Sequence, residues 1–241
     1  YKGLNAFFEF AFWWRLAEAL NAGRGSGFAA TIDGYHQKYS AVRPDAIAAT
    51  KLTNHDEDRA ASTLGRNQSK LKLAAAVLLT AGGEPYIYQG EELGYWGTKA
   101  NGDEYVRTPI LWTADASSAA SGDLGGKVDK SMLTASISVE SQAADESSLL
   151  NVYRRFGVLR DCYAALAKGS FKEKSLPGKT TIAAWYREYN GQKILVLHNF
   201  SSSTVIIPIS DDKLTAMTGS NGTASVEGTN LTLGGYSSAL F

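Results

Sequence analysis

The sequence predicts an α/β fold of parallel βα units followed by an all-β antiparallel unit. Three observations carry this. Over residues 7–97 short apolar runs alternate with stretches of helical periodicity, and polar residues gather just after each apolar run. Beyond about residue 171 the hydrophobic period changes to two, the period of a half-buried strand. In parallel βα units the ligand site forms at the carboxyl ends of the strands, so the polar clusters are where function is expected.

The opening "YKGLNAFFEFAFWWRLAEAL" reads as a buried strand, Phe7–Phe12, running into an amphipathic helix, Trp13–Asn21, that stops at Gly23. It has no initiator methionine, basic n-region or small-residue cleavage site, so it is not read as a signal peptide. Glu9, Arg15 and Glu18 interrupt it too often for a bilayer span. A chain opening on a core strand reads as a piece of something longer. No element is assigned over residues 24–45. Next, "AIAATKLTN" is an apolar run ending in polar residues, and Asn67 caps the helix "QSKLKLAAAVLLTA", with Leu71, Leu73, Val77 and Leu78 inward and Gly82 at its end. The strand "EPYIYQG" follows, ending in the acid- and glycine-rich loop "GEELGYWG".

From about 98 to 145 periodicity is lost in favour of Ala, Ser, Gly and Asp, as in a long loop, broken by the apolar "EYVRTPILWT". "ESSLLNVYRRFGVLRDCYAALAKG" then predicts one helix stopping at Gly169, with Leu149, Val152, Tyr153, Phe156, Leu159, Tyr163 and Leu166 inward. After it, alternation around Asn190-Gly191 gives the strongest short hairpin signal, and further short strands run to Phe241. No internal repeat is visible.

Composition narrows the function. The 241 residues are 44% hydrophobic, enough for a sizeable core. The 24 basic side chains balance the 24 acidic ones, leaving no electrostatic footprint for nucleic acid or an anionic membrane. The one cysteine, Cys162, excludes an intrachain disulfide, and its apolar helical setting predicts a buried structural thiol. His198, inside an apolar strand, is read as a satisfied structural histidine.

The densest polar cluster is "TNHDEDR", residues 53–59. On pattern alone it suits a capped helix start with solvated acids. Its setting changes that reading. "LTNHDED", then "GGEPYIYQGEELG", then "VRTPILW", and a closing "LTLGGYSSALF" follow in order, with "GLNAFFEFAF" ahead of them. Together these segments resemble the C-terminal half of the α-amylase family of glycoside hydrolases. The resemblance implies an α/β partial (β/α)8 TIM barrel (its last three strands) followed by an all-β antiparallel sandwich domain. It places Phe7–Phe12 on strand six, Thr50–Asn54 on strand seven and Pro85–Tyr88 on strand eight. The implied division is residues 1–170 for the barrel part and 171–241 for the C-terminal β domain.

Retaining glycoside hydrolysis needs two carboxyls flanking the bond and passes through an oxocarbenium-like sugar. The resemblance implies a third carboxylate, Asp56, that strengthens its hold on the sugar in the transition state. By the same match His55 binds hydroxyls of that sugar, and Arg59 orients Asp56 or meets a neighbouring sugar. Glu92 is implied to hold its loop beneath the site, with Arg107 as its partner. Glu57 and Asp58 receive no role. Tyr95, Trp96 and Trp112 are weighed as sugar-stacking or anchoring aromatics. The resemblance implies that the nucleophile and the acid/base come from strands four and five, upstream of Tyr1, and Glu9, inside the sixth strand, is no substitute. The 241-residue piece alone is therefore expected to be inactive.

No metal is assigned, since no second His or Cys group completes a site and the acids lack calcium-loop spacing. Whether the parent holds calcium is not legible here. The expected partners are an α-linked glucan and the missing N-terminal half of the same protein, with no nucleic acid and no membrane span. The resemblance suggests an extracytoplasmic location. Two alternatives from other classes are a non-catalytic scaffold of the same fold and a carbohydrate-binding β module. The second needs exposed aromatics on one sheet face, with Trp185, Tyr186, Tyr189 and Tyr236 as candidates.

Overall fold

The computed structural model describes residues 3–115, 130–132, 134–209 and 217–241. Strand β1 (Ala6–Glu9) passes directly into helix α1 (Phe10–Ala22), three residues earlier than the sequence suggests. The cause is Glu9. It caps α1 by accepting from the Ala11 N–H at 3.0 Å, and it also accepts from the Tyr39 hydroxyl. Glu9 therefore sits at the strand end and not inside the strand, as a buried structural carboxylate. Helix α1 buries Phe12, Trp13, Leu16, Ala17 and Leu20 along one stripe and closes on Gly23 at φ +64°, whose N–H reaches back to Ala19 and Leu20.

Helix α2 (Phe28–Val42), for which the sequence carried no expectation, follows. Three glycines, Gly25, Gly27 and Gly34, and a weak apolar stripe hide it, and packing holds it in place. Strand β2 (Ile47–Lys51), a short helix α3 (Ala60–Thr63), helix α4 (Gln68–Thr80) and strand β3 (Glu84–Tyr86) complete the α/β part. Asn67 caps α4 as expected, its side chain accepting from the Lys70 N–H at 3.0 Å. Residues 73–78 of α4 are all fully buried, so this helix is enclosed on every side. Each buried Leu in it contributes about 1.5–3 kcal/mol.

The three strands form one parallel sheet in the order β1-β2-β3, with Phe8 opposite Ala49 and Ala49 opposite Glu84. On the face they share by this register, Phe8, Ile47 and Tyr86 are 52%, 43% and 50% exposed. The same face carries the buried Ala49 and Lys51, so its open part is the apolar patch of Phe8, Ile47 and Tyr86.

Helices α5 (Asp103–Val106) and α6 (Val139–Ala144) are short. The expected loop over 98–145 falls partly outside the described residues. Helix α7 (Leu149–Cys162) is capped by Ser148 and ends at an extended Tyr163, and a separate helix α8 (Ala164–Lys168) follows, where the sequence predicts one helix. Side-chain capping explains the break: the free Ala165 N–H is taken by Gln192 Oε1 at 2.7 Å. Cys162 is exposed, contrary to expectation, because it terminates α7 next to the exposed Asp161 while Arg160 turns inward.

The remaining strands are β4 (Ser170–Glu173), β5 (Ile182–Tyr189), β6 (Gln192–Asn199), β7 (Val205–Pro208), β8 (Gly219–Asn221), β9 (Ala224–Glu227), β10 (Asn230–Leu233) and β11 (Ser238–Leu240). They form sheets of order β4-β5-β6-β11-β8 and β7-β10-β9, and the strand pairs are antiparallel. Asn190 (φ +47°) and Gly191 (φ +82°) make the two-residue turn between β5 and β6, as the dipeptide predicts.

Alternation along β5 and β6 divides two cores. Ile182, Ala184, Leu195 and Leu197 face the three-stranded sheet, with Ile207, Leu231, Leu233 and Ala239. Ala183, Trp185, Ile194 and Val196 face the helices and join one continuous core with α1, α2, α4 and α7. Trp185 is fully buried, its ring 5.2 Å from that of Phe171 and 4.8 Å from His198. A fully buried Trp185 and half-buried Tyr186, Tyr189 and Tyr236 do not form the exposed aromatic row that a sugar-binding sheet needs.

Candidate active site

Strand β2 stops pairing at Lys51, earlier than the expected span to Asn54, and the chain then turns across the carboxyl end of the sheet. Leu52 and Thr53 remain buried, whereas His55 and Asp56 emerge with side chains 60% exposed. The turn is closed by Asn54, whose Oδ1 accepts from the Asp56 N–H at 2.8 Å. Strand β3, ending two residues before the expected Tyr88, releases its loop at the same end, so Asp56 and the Gly90–Gly94 loop leave the sheet together, as parallel strands require.

Around Asp56 the groups are arranged by charge. His55 Nε2 lies 3.1 Å from Asp56 Oδ2, and Lys99 Nζ and Arg107 Nη2 lie 3.3 and 3.1 Å from Oδ1. Asp103 binds both cations, Arg107 at 2.7 Å, and Arg107 Nε also donates to the His55 carbonyl at 3.2 Å. Desolvation pushes the Asp56 carboxyl up, but the Lys99 hydrogen bond and the charges of His55, Lys99 and Arg107 outweigh it and hold it below the usual range. The result is an exposed carboxylate, ionised at neutral pH, with an imidazole alongside. It can accept hydrogen bonds from hydroxyls and oppose a developing positive charge.

The segment carrying Arg107 is tied down by its neighbours. Tyr88 and Gln89 side chains donate to the Val106 and Thr108 carbonyls, both at 3.0 Å, and Tyr95 donates to the Pro109 carbonyl at 3.2 Å. Gly97 makes the crossing possible, since a Cβ there would stand 1.9 Å from the Tyr105 carbonyl oxygen. These contacts bring Arg107 back to the strand ends, where its partner is Asp56 and not the expected Glu92. Glu92 is half-buried, raised in pKa by burial, and its Oε2 has no hydrogen-bond partner among the described residues.

The more deeply engaged glutamate is its neighbour. Glu91 is 3% exposed, accepts from the Thr53 N–H and hydroxyl at 3.3 and 3.2 Å, and accepts from the Tyr153 hydroxyl of α7 at 2.9 Å. Burial pushes its pKa up to about 7 against the opposing pull of Tyr153, Thr53 and Arg59. Glu91 carries no expectation in the sequence. The only available signal was the adjacent pair of acids, which does not tell which one turns inward.

Arg59 is corrected too. Only 1% exposed, it lies beneath the loop, its guanidinium 4.2 Å from the Tyr88 ring and donating to the Gln89 carbonyl. It neither touches Asp56 nor faces solvent, because its backbone N–H is anchored to the Gly97 carbonyl at 3.0 Å and its side chain starts out inward. Glu57 pairs with the buried Lys51, which also lies 4.3 Å from the Phe10 ring, and Asp58 accepts from the Lys99 N–H at 2.6 Å. Of the aromatics, Tyr95 is buried, Trp96 lies under the Arg66 guanidinium at 4.2 Å, and Trp112 is 68% exposed. Among the described residues no group of three or more His, Cys, Asp or Glu is placed to hold a metal ion, and no helix is long and apolar enough to cross a membrane.

Residues 16–169 match the family described as "Alpha amylase, catalytic domain", and residues 182–240 match "Alpha-amylase SusG C-terminal domain". The chain is 45% identical to Alpha-amylase SusG of Bacteroides thetaiotaomicron, over 100% of this chain and 36% of that protein. It is 28% identical to Alpha-amylase 3 of Dictyoglomus thermophilum, over 83% of this chain and 40% of that protein. The crystal structure of the α-amylase from H. orenii superposes with a TM-score of 0.82 at 25% identity, covering 98% of this chain and 48% of that one. The chain thus spans 36% to 48% of the length of these relatives. Its parallel strands are the last three of a (β/α)8 barrel, and the antiparallel sheets are the sandwich that follows. The catalytic-domain match takes in β2, β3 and every loop described at their carboxyl ends: the chain belongs to the α-amylase family.

Proposed function

We propose that this chain is the C-terminal part of a retaining α-glucan hydrolase acting on starch, maltodextrins or related glucans, with Asp56 as its transition-state-stabilising carboxylate. The observation that carries the reading is Asp56 itself: open at the carboxyl end of a barrel strand, beside His55, and held ionised by Lys99 and Arg107. An exposed carboxylate with that support can grip sugar hydroxyls in the ground state and gain as positive charge develops at the ring. His55 contributes a second hydroxyl contact. Lys99 and Arg107 keep Asp56 charged and aimed, and Asp103 balances them. Residues 1–170 serve as the barrel part and 171–241 as its C-terminal domain, and the nucleophile and acid/base come from chain outside residues 1–241. The open face of Phe8, Ile47 and Tyr86 supports a requirement for that remaining barrel. An extracytoplasmic location, where starch polymers are met, fits this role.

The test is made on the full-length protein with maltoheptaose, following the anomeric protons of the first product by NMR. The α-anomer is expected to form first, and residues 1–241 alone are expected to release no reducing sugar above buffer background. Initial β-anomer, or no turnover by the full-length protein, would overturn the proposal.

A further inference from the structure

Resting on that reading of Asp56, we propose that Glu91 is a positioning residue for it, acting through Thr53. The geometry begins where β2 runs out of partners. Pairing with β3 ends at Lys51, so the Thr53 N–H, in a position 1% exposed, has no strand carbonyl to use. Glu91 Oε2 takes that N–H and the hydroxyl of the same residue. Its other oxygen is held by Tyr153 on α7, a helix anchored in the main core through Val152 and Phe156. One buried carboxylate therefore substitutes for the missing strand. It ties the residue three places before Asp56 to a rigid element, and Asn54 then sets the Asp56 turn.

A carboxylate suits the position better than an amide. The Thr53 N–H can only donate, and the Thr53 and Tyr153 hydroxyls donate to the same group. A glutamine presents an NH2 to one of these donors and gives up a contact. Burial raises Glu91 to about 7 against the pull of Arg59, so the carboxylate form prevails above that pH. Loss of the tie leaves Asp56 in place but less well aimed, and small misplacements in a catalytic site are expensive in rate.

The experiment is a double-mutant cycle in the full-length protein on maltoheptaose, with kcat, KM and the thermal midpoint measured for wild type, Asp56→Asn, Glu91→Gln and the pair. Glu91→Gln should lower kcat about tenfold with KM within about twofold. In the Asp56→Asn background the same change should lower kcat less than about twofold, because both substitutions act on one group. Equal losses in the two backgrounds would show a general structural role and overturn the proposal, as would an unchanged kcat. Should Glu91→Gln fail to fold, Tyr153→Phe removes one hydrogen bond and should lower kcat about threefold, again only when Asp56 is present. Absence of turnover in wild type is a separate outcome, which removes the hydrolase reading and this proposal with it.

Discussion

Two clusters of charge at opposite ends of the parallel sheet are held in opposite ways. At the carboxyl end, Asp56, Lys99, Asp103 and Arg107 form ion pairs whose side chains are 34% to 60% exposed. At the amino end, Arg160 and Arg187 are 7% and 0% exposed and spend their hydrogen bonds on backbone carbonyls. Arg187 donates to Thr80 at 2.8 Å and to Ala81, Gly169 and Ser170, while Arg160 donates to Leu79 at 3.2 Å and to Ala81, Gly83 and Ala167. These include the orphan carbonyls and negative dipole end of α4. Trp185 adds its indole N–H to Thr80, and Thr80 meets the buried His198, whose other ring nitrogen meets Ser238. The difference separates function from stability. Open ion pairs contribute little to folding, whereas satisfied buried charges become costly when one partner is removed.

The largest effect that sharpens this contrast is expected from Arg187→Met, which takes a donor from four carbonyl oxygens at the junction of helices and sandwich. It leaves two of them, Gly169 and Ser170, without a side-chain donor, since Thr80 keeps Trp185 and Ala81 keeps Arg160. It should cost about 2–6 kcal/mol, from about 1–3 for each of the two carbonyls, read as a large drop in thermal midpoint, while kcat per folded molecule stays within twofold of wild type. A thermal midpoint unmoved by this change would mean that the junction is not where stability is concentrated.

Arg59 lies near the carboxyl end but is buried like the amino-end arginines, with Nη1 donating to Gln89 while Nε and Nη2 have no hydrogen-bond partner among the described residues. Arg59→Met should therefore lower stability by about 1–3 kcal/mol with KM near wild type. A selective rise in KM would instead return Arg59 to the sugar. Arg107→Met should do the converse, lowering kcat about tenfold through loss of an electrostatic partner and leaving the thermal midpoint within experimental scatter.

The smallest expected effect is in pH dependence. Burial lowers His198 to about 3 and His36 to about 4, the latter helped by the Arg187 charge. Both stay neutral when folded, so their contribution is fully present above pH 6.5 and is lost as pH falls through 4 and then 3. Glu91 runs the other way: raised by burial to about 7, it contributes stability present below pH 4.5 that is lost as pH rises through 7. Between pH 4.5 and 6.5 the two histidines outweigh the glutamate, and the thermal midpoint should rise gently. Glu91→Gln should steepen that rise and His198→Asn should flatten it. The opposite assignment of slopes would show that these groups are not buried as described.

Legibility in the sequence follows from how local each signal is. The Asn190-Gly191 hairpin, the Asn67 cap and the alternation of β5 and β6 were readable because turn chemistry and periodicity decide them over a few residues. The ordering of His55 and Asp56 after a strand was readable for the same reason, although its interpretation came through resemblance. Strand ends were not, because they depend on capping by Glu9 and on Glu91 reaching Thr53 across 38 positions. Nor was the choice between Glu91 and Glu92, which the turn at Gly90 (φ +81°) makes by rotating one acid inward. Cys162 misled because an apolar stretch gives composition, whereas exposure depends on where the helix stops.

The most direct test of the separation between the two ends is Asp56→Asn in the full-length protein, with kcat and thermal midpoint measured on one preparation. The amide keeps the shape and removes the charge. The predicted result is a loss in kcat on the order of 10²-fold or more with KM little changed and the thermal midpoint essentially that of wild type. A variant within twofold of wild-type kcat would contradict the account, and would reduce the charged cluster at the carboxyl end to a solvated helix start.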